Sequence, residues 1–158
     1  MAKKPQPGKK FKYGLHSVLK VREIKEKKEQ EKFADEQHKY LTEKEKEELI
    51  ERNKRTKEDE LRGVFKRGPI SDFSKVLRRR AHIDVLKDDL SAQVERVIEA
   101  SKLLEEQRAR LVSAMKDKKI MEKHKERKLE EYDKMMQELE MKFMDEIATQ
   151  RYKKDKKG

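Results

Sequence analysis

A chain of 158 residues that is 49% charged and only 33% hydrophobic has too little apolar surface for a compact core, but enough for a narrow seam between helices. The absence of cysteine excludes disulfides, thiolate metal sites and cysteine nucleophiles together, and fits a reducing compartment. The net charge of +11 is uneven: residues 1–12 and 63–80 each carry +5 and residues 151–158 carry +4, while residues 13–62 are neutral and residues 81–150 carry −3.

Residues 1–10, MAKKPQPGKK, hold two of the three prolines and read as a disordered basic leader, and residues 153–158 as a basic tail. The early lysines lack the apolar core of a signal peptide. No run approaches the roughly 18 apolar residues of a membrane span. A cytoplasmic, soluble protein is therefore expected.

A first helix is expected over about 15–62. Phe11, Leu15, Val18, Leu19 and Arg22 share one broad face by the three-and-four rule, and Gly14 weakens the opening turn. Its seam runs Leu15, Leu19, Arg22, Glu26, Glu29, Phe33, Glu36, Tyr40, Glu43, Glu47, Ile50, Lys54, Lys57, Leu61 and Val64. Seven of those fifteen positions are apolar, so this is the weaker half of a coiled coil. Between Lys25 and Glu60 the mixed charges suit i, i+4 pairing along a solvated face. Gly63, Gly68 and Pro69 mark a connection over about 63–71, and Ser71 or Asp72 is placed to cap the next helix.

The second helix, about 72–150, carries the stronger seam. Apolar residues recur at alternating three- and four-residue steps from Phe73 through Val76, Ile83, Leu90, Val94, Val97, Leu104, Leu111 and Met115 to Leu129, Tyr132, Met136, Leu139 and Phe143, with Arg80, Lys87, Ser101 and Arg108 in phase. A period of 3.5 residues is that of a left-handed coiled coil, and a short link between two such helices implies an antiparallel hairpin. The fold class is all-α: two long helices in a coiled-coil hairpin spanning 11–152, with basic termini. In the simplest register the first helix begins beside Lys118, where the seam turns polar at Lys118, Glu122 and Lys125. The Met-rich stretch from Leu129 to Ile147 then overhangs as a binding surface. A second register sets 11–24 directly against 129–147 and leaves residues 62–92 as a protruding tip.

Nothing points to catalysis, a cofactor or a metal. His16, His38, His82 and His124 are far apart, with no i, i+4 pair, and no nucleotide-binding or hydrolase motif occurs. A two-helix rod offers no cleft for a small-molecule substrate. Arg78, Arg79 and Arg80 open the second helix, but the tract is shorter than a DNA-binding basic region and the repeat continues through it. Specific nucleic-acid binding is disfavoured, and acidic protein or membrane surfaces are the better match for the basic tracts.

The opening FKYGLHSVLKVRE and the closing KHKERKLEEYDKMMQELEMKFMDEIATQRY, with Tyr132 and the segment 145–151 foremost, resemble the FliJ family of flagellar export proteins. The resemblance implies a non-enzymatic, stalk-like component of the flagellar type III export apparatus, cytoplasmic and peripheral to the membrane through its partners. The implied partners are the hexameric export ATPase, which it stimulates, the cytoplasmic domain of the export gate, and export chaperones. The implied ATPase-facing residues are Phe11, Leu15, Val18, Leu19, Arg22, Met136, Leu139, Phe143, Ile147 and Arg151. The implied gate contact, an aromatic followed four residues later by Leu, falls on Phe73 and Leu77. Seam packing is the alternative for that pair, and Glu47, Glu51 and Lys54 stand where the family has other gate-facing residue types. Stalks of virulence type III systems or of rotary ATPases share the architecture, and a basic coiled-coil nucleic-acid binder is the rival of another class.

Overall fold

The computed structural model describes residues 10–70 and 72–155, with side-chain surroundings up to residue 152. The expected leader up to residue 9, the capping role of Ser71 and the end of the basic tail fall outside the described residues. Within them the chain is all-α, with α1 at His16–Lys66 and α2 at Phe73–Asp155. No described helix is long and apolar enough to cross a membrane.

Helix α1 opens on a turn in which the His16 N–H donates to the Tyr13 carbonyl at 3.2 Å, and the Leu19 N–H donates to the Leu15 carbonyl at 3.0 Å. It runs through Gly63, where a break was expected, because a helical glycine costs only about 1 kcal/mol and is outweighed by flanking seam residues. It stops at Lys66 because Gly68 takes a φ of +112°, a left-handed conformation open to glycine, and Pro69 cannot donate to a continuing helix. The Arg67 N–H donates back to the Val64 carbonyl at 3.4 Å and tightens this end. Asp72 stands just before α2, its carboxylate 3.6 Å from Lys75 Nζ.

Packing divides the chain into two units, Lys27–Ser113 and Met1–Glu26 with Ala114–Gly158. The first is an antiparallel hairpin around the turn. On α1 the expected seam holds: Glu29, Phe33, Glu36, Tyr40, Glu43, Glu47, Ile50, Lys54, Lys57, Leu61 and Val64 are all half-buried. On α2 only one of the two expected heptad rows is right. Val76, Ile83, Leu90, Val97, Leu104 and Leu111 are covered as foreseen, but the alternate row consists of Leu86, Gln93, Ala100 and Gln107. Arg80, Lys87, Val94 and Arg108 are exposed, so this half of the seam is turned by one residue, about 100° around the helix. Three cations in the rejected row keep their charged ends in water, whereas the adopted row offers a leucine, a small alanine and two amides that can be satisfied.

Those amides make the hairpin's polar layers. Gln93 Nε2 donates to Glu43 at its carbonyl (3.0 Å) and carboxylate (2.6 Å), and Gln107 Nε2 does the same to Glu29 (3.3 and 2.6 Å). The glutamates and the glutamines are each fourteen residues apart, two heptads, so both layers enforce one register. Glu29, Glu36 and Glu43 are also held by the lysine three residues on, Lys32 at 3.0 Å, Lys39 at 2.7 Å and Lys46 at 2.6 Å. Local pairing thus uses i, i+3 more than the expected i, i+4, with Glu51 and Arg55 an i, i+4 example at 2.6 Å.

In the other unit the segments are again antiparallel. Leu19 and Ala114 are its buried apolar residues, and Met121 continues the same row of α2. Arg22 meets Asp117 at 2.5 Å and Lys118 meets Glu26 at 2.8 Å. The polar stretch at Lys118 is therefore not where the partner helix begins. It lies opposite charged residues ten positions inside α1 and is filled by ion pairs.

Candidate protein-binding site

Ahead of α1 the chain stays against α2 through aromatic contacts. The Phe11 and Tyr132 rings are 5.6 Å apart and inclined at 55°, and Tyr13 and His124 are 5.7 Å apart at 54°, both tilted arrangements favoured by ring quadrupoles. Tyr13 Oη lies 2.8 Å from His124 Nδ1 and 3.4 Å from the Met121 carbonyl. Both contacts are satisfied when His124 Nδ1–H donates to the hydroxyl and the hydroxyl donates to the carbonyl.

Beside these rings lies a hollow of about 430 Å³ whose lining includes Phe11, Tyr13, Leu15, Tyr132 and Met135, with Lys12, Lys128 and Glu131 among the polar contributors. Lys128 Nζ donates to Glu131 at 2.7 Å, and this bond holds the Glu131 carboxyl below its ordinary value. The amine of Lys118 is raised, chiefly by its hydrogen bond to Glu26. No group of three or more potential metal ligands is present among the described residues.

The ten residues assigned to ATPase binding all lie in this unit, but in different states. Leu19 is only 4% exposed and belongs to the core. Arg22 is tied to Asp117, and Phe11 is half-buried against Tyr132. Leu15 and Val18 are open to solvent on the α1 side. On α2, Met136, Leu139 and Ile147 are half-buried, while Phe143 is 63% exposed and Arg151 is exposed. Met141 and Met144, within the Met-rich stretch, are likewise exposed.

The described chain before α1 reaches Tyr132 and Met135, and α2 continues for about five more turns. The alignment lies nearer the overhang register, since pairing 11–24 directly with 129–147 is incompatible with Arg22 on Asp117, but it is shifted: Lys118 faces Glu26, and residues 11–15 cover α2 as far as Met135. Tyr13 and His124 were missed as a pair. Their sequence separation of 111 leaves no local signal, and only the register brings them together.

Phe73 and Leu77, the pair assigned to the gate, belong to the other unit. They are 63% and 54% exposed, so seam packing, the alternative for these residues, does not hold.

The family profile described as "Flagellar FliJ protein" matches residues 11–157. A solved structure described as that of a YscO homolog, CT670, from Chlamydia trachomatis is similar in fold, with a TM-score of 0.56 and 23% identity over 94% of this chain and 99% of that one. No curated protein sequence matches the chain.

Proposed function

Because the chain belongs to the FliJ family, we propose that it is a non-enzymatic, stalk-like component of a flagellar type III export apparatus. In this reading its terminal unit binds and stimulates the hexameric export ATPase. The protein is cytoplasmic, peripheral to the membrane through its partners, and serves motility by linking the ATPase to the gate and to export chaperones.

The observation that carries this reading is the α2 segment from Met136 onward, which extends past the described reach of the chain before α1 and presents Met141, Phe143 and Met144 to solvent. Flexible methionines around an aromatic anchor suit a helix face that packs on another protein. Arg151 on the same helix adds positive charge for an acidic counterpart. Leu15 and Val18 extend the contact onto α1, whereas Leu19 and Arg22 act by holding α1 in place. The gate contact is assigned to Phe73 and Leu77, whose exposure supports it.

The test is ATP turnover by the cognate hexameric ATPase with and without the purified chain. Turnover rises on addition, and Phe143→Glu lowers the stimulation about tenfold or more, the effect of losing an aromatic anchor worth about 1.4 kcal/mol or more. Unchanged turnover together with no detectable complex would refute the assignment. The fold likeness to the YscO homolog favours one second reading, the equivalent stalk of a virulence type III system. The components encoded beside the gene, flagellar or needle, decide between them.

A further inference from the structure

We propose that the turn end of the Lys27–Ser113 unit docks directly on an anionic lipid bilayer surface, with Phe65 and Ile70 entering the interface and the arginines and lysines of the same stretch meeting lipid phosphates. The inference goes beyond the stalk reading and stands without it.

Residues 63–80 carry six cations against the single carboxylate of Asp72. That carboxylate is committed to Lys75. Among the described residues, no ion pair engages Lys66, Arg67, Arg78, Arg79 or Arg80, and whereas residues 13–62 hold as many carboxylates as cations, these cations share a stretch with one carboxylate. Four large apolar side chains, Phe65, Ile70, Phe73 and Leu77, are exposed in the same stretch, Phe65 at 56%. Elsewhere in the unit, exposed apolar residues such as Leu41 and Leu49 stand among balanced charges, which is normal for a soluble helix.

The pairing of apolar anchors with an uncompensated cationic surround is the composition of interfacial membrane binding: apolar groups enter the headgroup and acyl boundary while Lys and Arg meet anionic headgroups. The hollow at the turn has a volume of about 220 Å³. That is below the roughly 300 Å³ at which pockets bury organic ligands. Arg67, Lys75 and Arg79 contribute to its lining against the one carboxylate of Asp72, a net positive rim that suits an anionic headgroup. A hollow of this size fits a headgroup at a deformable surface better than a protruding protein side-chain cluster. Gly68 and Pro69 keep the turn short, so the apolar side chains before and after it stay close in sequence.

The experiment is sedimentation of the full chain with vesicles of mixed phosphatidylglycerol and phosphatidylcholine, or of phosphatidylcholine alone. Binding occurs on the anionic vesicles only and weakens with salt, as expected of charges outside a screened distance of about 8 Å at physiological ionic strength. Arg67→Glu with Arg79→Glu lowers the partition coefficient about tenfold or more, as reversing two surface-facing cations implies. Lys3→Glu with Lys4→Glu leaves the tip's contribution in place and costs much less. The chain has no tryptophan, so Phe65→Trp reports the site alone: its emission shifts to the blue on anionic vesicles, and that of Leu49→Trp does not. Far-UV dichroism checks that each variant keeps its helix content. Phe65→Ser, which lies outside the gate pair, lowers vesicle binding while leaving binding to a gate domain unchanged. The proposal is overturned by absence of binding to anionic vesicles, by tip variants that bind as well as the unaltered chain, or by an unshifted tryptophan at position 65. Retained binding to an acidic protein domain without vesicle binding would give the tip to a protein partner instead.

Discussion

A handful of side chains in this molecule are packed well enough for single substitutions to be felt. Leu19 and Ile83 are each 4% exposed, in a fold where most seam positions are only half-covered. Leu19→Ala or Ile83→Ala is expected to cost about 2–3 kcal/mol of unfolding free energy, the lower part of the range for buried aliphatic truncation. Leu49→Ala, at an exposed position, is expected to stay within about 0.5 kcal/mol. Denaturant unfolding monitored by dichroism separates the two outcomes. Equal effects at the three positions would mean that the seam is not the core.

This difference was only partly legible in the sequence. Leu19 sat both in the expected α1 seam and among the expected binding residues, and it is covered, with the Arg22–Asp117 and Glu26–Lys118 pairs linking the same two helices nearby. Phe73 shows the reverse error. Heptad phase placed it in the seam, but it is the first residue of α2, next to the turn, and is left exposed.

At the scale of the helices, register is fixed by polar contacts more than by apolar ones. A seam in which leucine and valine recur without variation tolerates slippage, while an amide that must reach a particular carboxylate does not. Replacing one such layer by apolar residues, Gln107→Leu with Glu29→Leu, is expected to raise the thermal midpoint, because a buried polar pair is often less stabilising than well-packed hydrophobic groups. The same change should loosen register. Cysteines placed to crosslink the native register would then form disulfides in lower yield in the double variant. Unaltered yield would show that these layers do not specify alignment. Gln107→Leu alone is expected to destabilise, since it strips Glu29 of its strongest partner.

Periodicity located both helices and the α1 seam from Leu19 to Val64, though not Leu15, which is exposed, because a repeat of seven over many heptads survives local substitutions. It misplaced half of the α2 seam because Arg80, Lys87 and Arg108 kept phase with Val94 and Met115. A heptad pattern has no means of preferring Gln93 and Gln107 to them. The preference comes from Glu43 and Glu29, whose carbonyls and carboxylates accept from those amides.

For the chain as a whole, charge sets the conditions of stability. Glu29 is held below the ordinary glutamate value of 4.5, first by Gln107 and then by Lys32, and Glu43 is lowered by Lys46 and Gln93. Lys39, Lys44 and Lys118 are raised above 10.5, each chiefly by a hydrogen bond to a neighbouring glutamate. A lowered carboxyl stabilises the fold above its unfolded value and loses that contribution as pH falls through its folded value. A raised amine stabilises below its unfolded value and loses that contribution as pH rises through its folded value. Stability should therefore be level between about pH 5 and 10 and fall on both sides, the acid limb steepened by repulsion within a chain of net charge +11. Thermal unfolding against pH measures this, and a maximum confined to acid conditions would contradict it. The acid fall should be shallower in a chain carrying Glu29→Gln and Glu43→Gln, which has lost both titrations.

Contiguous residues alone establish that the chain is helical, that its helices pair through heptad seams, that a Gly-Pro turn joins them, and that the family is FliJ, since periodicity and local motifs need no knowledge of distant contacts. Alignment is a tertiary property. Within each unit, packing chose which row of α2 is covered, set Tyr13 against His124, made Leu19 core, and left Phe65, Phe73 and Phe143 exposed. Those outcomes depend on which residue of one helix faces which residue of the other, a relation settled by hydrogen bonds and ion pairs across sequence separations of 50 to 111 residues.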